Sequence, residues 1–105
     1  MPQYGDFNPA LTKAINRVVA AGTEGVKFGP HSEDRMYERG FDHSDVLTCL
    51  RKGKAYGPEE RDGDLRANML HGGLHIRVAV GGLMGAAPDW VNLGSVVVVT
   101  VMELK

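Results

Sequence analysis

Hydrophobic residues recur at helical spacing in the first part of the chain. From Leu11 to Val19 they follow the three- and four-residue spacing of an amphipathic helix. Asn8 can cap this helix, Pro9 suits its first position, and Gly22 is a natural stop. The pattern therefore predicts a first helix that begins at Pro9 and ends before Gly22.

Two further helices are predicted before residue 54. The second covers Ser32 to Arg39 and ends at Gly40. The third begins after Asp42, where Asp45 stands at the position of a capping-box partner. Gly53 closes the third helix, and its inner face is apolar: Val46, Leu47 and Leu50.

From residue 54 onward the apolar period changes to two, which is typical of strands. The predicted series is a short strand at Lys54 to Gly57, a polar turn at Pro58 to Asp64, strands at Leu65 to His71 and Leu74 to Val80, a loop at Gly81 to Gly94, and a last strand at Ser95 to Leu104. Gly72-Gly73 is a favourable two-residue hairpin turn between the middle strands.

A two-residue turn also predicts the register of that hairpin. His71 then faces Leu74 and Met69 faces Ile76, on a face that is almost wholly apolar. The opposite face carries Arg66, Asn68, Leu70, His75, Arg77 and Ala79. The last strand is apolar on both faces, which indicates a central strand buried on both sides. Together the elements predict an α+β fold with N-terminal helices packed on an antiparallel sheet of about four strands.

Composition indicates one globular domain over residues 1–105. The chain has 105 residues, of which 43% are hydrophobic and 24% are charged. The formal charge is −1, whereas a protein that binds nucleic acid through bulk charge would be strongly basic. Any site for a polyanion must therefore be local.

The N-terminus, the length of the apolar runs and the single cysteine indicate a cytoplasmic, soluble protein that does not span a membrane. The N-terminus has no signal-peptide pattern, and the longest apolar run, Val96 to Val99, is too short to cross a bilayer. A single cysteine, Cys49, fits a reducing compartment. Because Cys49 falls inside the third helix beside core positions, we expect its thiol to be inert.

The second predicted helix carries the first candidate site. His31, Arg35 and Arg39 are spaced by four residues and share one helical face. Guanidinium groups fit phosphate oxygens, and a neighbouring imidazole can transfer protons near neutral pH. The alternative is a solvated helix face whose arginines pair with nearby acids: Glu33, Asp34 and Glu38.

The polar face of the predicted hairpin carries the second candidate site. Arg66, Asn68, His75 and Arg77 share that face. Two neighbouring arginines favour an anion between them, although these residues equally suit the wet side of an antiparallel sheet. We predict no metal and no cofactor, because His71 and His75 fall on opposite faces and no metal-binding motif is present. Trp90, in the predicted loop, either caps the edge of the core or anchors a contact.

The segment FGPHSEDRMYERGFDHSDVLTCLRKGKAY resembles a small bacterial family, domain of unknown function 4258. The matching residues are His31, Arg35-Met36, Glu38-Arg39-Gly40, Asp45-Val46 and Gly53, followed by a hairpin and a valine-rich last strand with Thr100. The resemblance covers residues 26–104 and leaves 1–25 as an N-terminal helix and connector.

That architecture is similar to the RelE/ParE-like toxins and the motility-type toxin MqsR. The resemblance implies a metal-independent endoribonuclease of a toxin–antitoxin module, or a relative that kept the fold without the activity. Such enzymes place Arg, His, Lys or Tyr on the sheet and activate the ribose 2′-hydroxyl to attack the adjacent phosphate. These toxins are usually basic, whereas this chain is nearly neutral.

The leading hypothesis from the sequence is a RelE-like endoribonuclease whose partners are RNA and an antitoxin or other protein. A histidine, His31 or His75, acts as general acid or base. The other proposed residues stabilise charge (Arg35, Arg39 and Arg77), bond the scissile phosphate (Thr100) or contact RNA (Arg66 and Asn68). The alternative is a non-catalytic binding or regulatory module that uses its arginine face to bind an acidic partner. A housekeeping role on the same fold is the third hypothesis.

Overall fold

In the computed structural model, which describes residues 4–61, 64–80 and 96–103, three helices pack on one sheet. The helices are α1 (Pro9–Ala20), α2 (Ser32–Arg39) and α3 (His43–Lys52). Asn8 caps α1 by accepting a hydrogen bond from the Leu11 N–H at 2.9 Å, and Asp42 and Asp45 form the capping box of α3. All three predicted helices are confirmed.

The sheet contains five strands in the described part of the chain. They are β1 (Val26–Phe28), β2 (Lys54–Arg61), β3 (Asp64–His71), β4 (Leu74–Val80) and β5 (Val96–Glu103), in the order β1-β5-β4-β3-β2. The predicted α+β class, with N-terminal helices packed against the sheet, is confirmed. The predicted antiparallel sheet of about four strands corresponds to β2, β3, β4 and β5, and β1 adds a fifth strand that runs parallel to β5 and makes the sheet mixed. The sequence allows an extended segment at Val26 to Phe28, but a run of three residues is too short to predict its pairing with β5.

Strand β2 is longer than the sequence predicts. The sequence predicts a turn from Pro58 onward, but β2 continues to Arg61. The pairing with β3 shifts between Tyr56 and Glu59, and Gly57 has a φ of 58°. Because β2 is an edge strand, a bulge there accommodates the missing N–H of Pro58. The glycine and proline that suggested a turn therefore mark a β-bulge.

The hairpin has the predicted register, with His71 opposite Leu74 and Leu65 opposite Val80. Strand β5 is central, as predicted, but only one of its faces is fully buried. A second register shift, between the pairs Arg77–Thr100 and Val78–Val98, changes which residues of β5 face the core. The core side carries Val96, Val98 and Val101, whereas Val97, Val99, Thr100 and Met102 are half-buried on the other side.

The core lies between the helices and one face of the sheet. Its largest fully buried side chains include Leu11, Ile15, Leu50, Met69 and Ile76. None of the helices in the described ranges is long and apolar enough to cross a membrane. The predicted loop at 81–94, with Leu83, Met84 and Trp90, lies outside the described residues.

Candidate functional site

The sheet face opposite the helices, here called the polar face, carries a hydrogen-bonded network that links β2, β3 and β4. Asn68 Oδ1 lies 2.9 Å from His75 Nε2 and accepts a hydrogen bond from Arg77 at 3.3 Å. Arg77 also donates to Glu59 Oε1 at 2.5 Å. The network therefore uses two donors of Arg77 within the protein, one toward Asn68 and one toward Glu59.

The partners of Asn68 determine which ring nitrogen of His75 carries the proton. Asn68 Nδ2 donates to the Tyr4 carbonyl oxygen at 3.1 Å, which leaves Oδ1 as the acceptor toward His75. In neutral His75 the proton is therefore on Nε2 and the lone pair is on Nδ1. Burial, and secondly the positive charge of Arg77, lower the pKa of His75, so the neutral form is favoured.

The N-terminal segment covers this network. The Tyr4 ring packs edge-on against the His75 ring, with centroids 4.6 Å apart. His75 is only 9% exposed and Asn68 only 7%. His75 and Asn68 are therefore buried beneath the N-terminal segment. A buried position is poor for a general base or for an RNA contact. Nothing in the local sequence pattern around Tyr4 indicated this contact.

A pocket of about 270 Å³ lies beside the network and brings the two candidate sets of the sequence together. It is lined by His31 from the start of α2, Arg66 from β3, and the apolar residues Ala79, Val97 and Val99, with Gly29 and Pro30. Arg66 Nε is buried and has no hydrogen-bond partner in the described part of the chain. A buried donor without a partner costs on the order of 1–3 kcal/mol.

The position of His31 follows from close packing of the preceding loop on β5. The Gly29 N–H donates to the Val98 carbonyl at 2.8 Å, and a side chain at Gly29 would crowd that same oxygen. Buried Ser32 donates its hydroxyl to the Gly29 carbonyl at 2.8 Å. These bonds hold the loop at the sheet, so His31, the N-cap residue of α2, lies at the rim of the pocket with an exposed side chain.

The other two members of the helix cluster do not join His31 at this pocket. Arg35 forms an exposed ion pair with Glu38 at 3.0 Å, which is the pairing expected of a solvated helix face. Arg39 is exposed in the last turn of α2, and neither arginine is among the described residues that line the pocket. Of the three residues that helical spacing grouped together, only His31 lines the pocket.

Thr100 faces the polar side of the sheet, as its proposed role requires. It is the register partner of Arg77, and Arg77 in turn is the partner of Asn68. Sequence reasoning missed Glu59, because the bulge places this residue in β2 rather than in a turn. A carboxylate opposite two arginines of the neighbouring strands was detectable only with the register of β2.

Cys49 lies in the core, away from the polar face. Cys49 is 1% exposed, and burial raises the pKa of its thiol to about 12. A thiol of this kind is protonated and unreactive at neutral pH. Among the described residues, no group of three histidine, cysteine or acidic side chains is arranged to hold a metal ion.

We compared the chain with protein-family models, curated proteins and solved structures, and none of these comparisons gave a match. The resemblance to domain of unknown function 4258 and to the RelE-like toxins therefore stays a prediction from the sequence.

Proposed function

We propose that this protein is a metal-independent endoribonuclease whose site is the pocket of His31 and Arg66. The observation that carries the proposal is the meeting, in one pocket, of an accessible imidazole and a guanidinium with an unused buried donor. These two groups suit phosphodiester cleavage, because an imidazole can move protons and a guanidinium can bind the phosphate oxygens. The sequence resemblance of residues 26–104 points to the same reaction class.

The charges of the polar face favour a polyanion. The register places Lys27, Lys54, Arg66 and Arg77 on this face, against one acidic residue, Glu59, among the strand positions whose side chains are described. Clustered positive charge attracts a phosphate backbone even when the whole chain is neutral. The polar face thus supplies the local site that a chain of net charge −1 requires.

The proposed reaction is an attack within the RNA strand. His31 accepts the proton of a ribose 2′-hydroxyl, and the 2′-oxygen forms a bond to the adjacent phosphorus. The bond from phosphorus to the 5′-oxygen breaks, and this oxygen takes a proton from water. Arg66 donates to the non-bridging oxygens, where negative charge develops. The products are a 2′,3′-cyclic phosphate and a 5′-hydroxyl end.

Cleavage of end-labelled single-stranded RNA in EDTA tests the proposal. Wild-type protein should release fragments that end in a 2′,3′-cyclic phosphate. His31→Gln should slow cleavage by about 10²- to 10⁴-fold, because the proton acceptor is lost. Arg66→Gln should slow it by about 10²- to 10³-fold, because one charged donor to the transition state is lost.

Matched controls are available on the helix layer and at the hairpin turn. Arg51→Gln removes an exposed arginine of α3, and His71→Gln removes an exposed histidine of the β3–β4 turn. Both variants should cleave at the wild-type rate. Intact RNA with wild-type protein would refute the enzyme, and wild-type cleavage by His31→Gln would refute the assigned site.

A non-catalytic module that binds an acidic partner is the second candidate. The observation that favours it is the closed network on the polar face, in which His75 is buried and Arg77 is paired with Glu59. Only His31 then remains as an accessible histidine at the pocket. The second candidate predicts that RNA binding is lost in Arg66→Gln while wild-type protein leaves the RNA intact.

A further inference from the structure

Two aromatic side chains lie together at the outer edge of the polar face. The Phe7 and Tyr56 rings have centroids 5.6 Å apart and planes tilted by 48°. Phe7 is 47% exposed, and Lys54 Nζ lies 5.7 Å from the centre of its ring. Tyr56 is the register partner of Asn68, which places the pair on the same face as Arg66 and Arg77.

Phe7 precedes the N-cap of α1, but it does not pack on this helix as a hydrophobic staple. A hydrophobic residue before the N-cap commonly packs on the fourth residue of the helix as a staple. Here that residue is Thr12, whose hydroxyl donates to the Asn8 carbonyl and accepts from the Ala55 N–H. Phe7 therefore has no apolar staple partner in α1 and presents its ring to solvent beside Tyr56.

We propose that Phe7 and Tyr56 form a base-stacking subsite for single-stranded RNA, with Lys54 beside it to contact the strand's phosphates. The inference rests on the proposed function, because the same strand would continue to the pocket of His31 and Arg66. The strands that line the pocket, β3, β4 and β5, lie one to three strand spacings from β2, on the order of 5–15 Å. Aromatic rings combined with a basic surface are the usual elements of single-strand binding, and stacking needs no particular base.

Binding to an oligonucleotide that cannot be cleaved tests the subsite independently of catalysis. The probe is a fluorescent 2′-O-methyl RNA of mixed sequence, and its anisotropy is measured against the full chain. Phe7→Ala should raise the Kd about 5- to 150-fold, the equivalent of one lost stacked base. Phe7→Trp should restore binding, and Phe7→Leu, which keeps an apolar side chain without a ring, should not.

An abasic oligonucleotide of the same length provides the second arm. Wild-type protein should bind it at least as weakly as Phe7→Ala binds the full oligonucleotide, and Phe7→Ala should not weaken binding of the abasic strand further. Thermal unfolding of each variant confirms that the fold is intact, which we expect because Phe7 is half-exposed.

The outcomes separate the subsite from the enzyme. An unchanged Kd for Phe7→Ala, equal affinity for the abasic probe, or no binding of any oligonucleotide would overturn the subsite. Binding that depends on Phe7, in a protein that leaves RNA intact, would support the subsite and refute the endoribonuclease. Cleavage of RNA by Phe7→Ala with an unchanged KM would support the endoribonuclease and refute the subsite.

Discussion

At the scale of single residues, three basic side chains of the polar face differ in what they are free to do. Arg77 is bonded to Glu59 and Asn68, and His75 is buried under Tyr4. Arg66 lines a pocket, and its buried Nε has no partner in the described ranges. The chemistry expected of an arginine or histidine therefore depends on its neighbours rather than on its type.

The pH dependence of stability should reveal the buried state of His75. The folded pKa of His75 is lowered from the ordinary value near 6.5, so the unfolded chain binds the proton first as the pH falls. The free energy of unfolding should then decrease below pH 6.5, by at most about 1.4 kcal/mol per pH unit from this group. Chemical denaturation of wild type and His75→Gln between about pH 5 and 8 measures the difference.

His75→Gln is a suitable comparison because its amide can still donate to Asn68 Oδ1. The variant should lose part of the decrease below pH 6.5, whereas His71→Gln, at the exposed turn, should keep the wild-type profile. Identical profiles for wild type and His75→Gln would show that His75 is not buried in neutral form.

At the scale of elements, the N-terminal segment depends on a close approach to the bulge of β2. The Gly57 N–H donates to the Asp6 carbonyl at 2.8 Å, and the Asn8 N–H donates to the Ala55 carbonyl at 2.9 Å. Gly5 lies against Gly57, and a Cβ on Gly5 would overlap the Gly57 Cα. This contact brings Tyr4 over His75 and places Phe7 beside Tyr56.

Substitution of Gly5 tests the contribution of this contact. Gly5 has a φ of 88° and Gly73 has a φ of 85°, but only Gly5 has a neighbour that an added Cβ would meet. Gly73→Ala should cost about 1–2 kcal/mol, from the left-handed backbone alone. Gly5→Ala should cost about 1–3 kcal/mol more because of the overlap. Equal losses of unfolding free energy in the two variants would contradict this account.

At the scale of the whole molecule, the near-neutral chain distributes its charges unevenly. Strand positions on the polar face carry four lysines and arginines against one described acid, although acids slightly outnumber lysines and arginines in the whole chain. A polyanion would respond to the local excess, because ions at physiological salt screen charges more than about 8 Å away.

The salt dependence of binding should report this local charge. Each phosphate contact on a single strand adds about 0.7 to the slope of log affinity against log salt concentration. Arg66→Gln should lower the slope by about that amount, whereas Phe7→Ala should weaken binding without changing the slope. Titrations of the 2′-O-methyl probe between about 50 and 200 mM salt measure the slope for each variant. A slope reduced equally by Arg51→Gln, on the helix layer, would contradict a site on the polar face.

What the sequence determined by itself is local in its physical origin. Asn8 and Asp42 cap helices by bonding backbone groups three residues away, and Gly72-Gly73 sets the hairpin register through one turn. The polar and apolar faces of the hairpin follow from that register. The α+β class could be predicted because both periods extend over whole elements.

Only the tertiary structure decided how segments distant in the sequence meet. The pairing of β1 with β5, the bulge of β2, and the cover of His75 by Tyr4 each join parts of the chain that share no local pattern. The same is true of the pocket, since His31 belongs to a helix start and Arg66 to a strand. Such contacts depend on which surfaces pack best across the whole core, and the spacing of residues along the chain does not encode that choice.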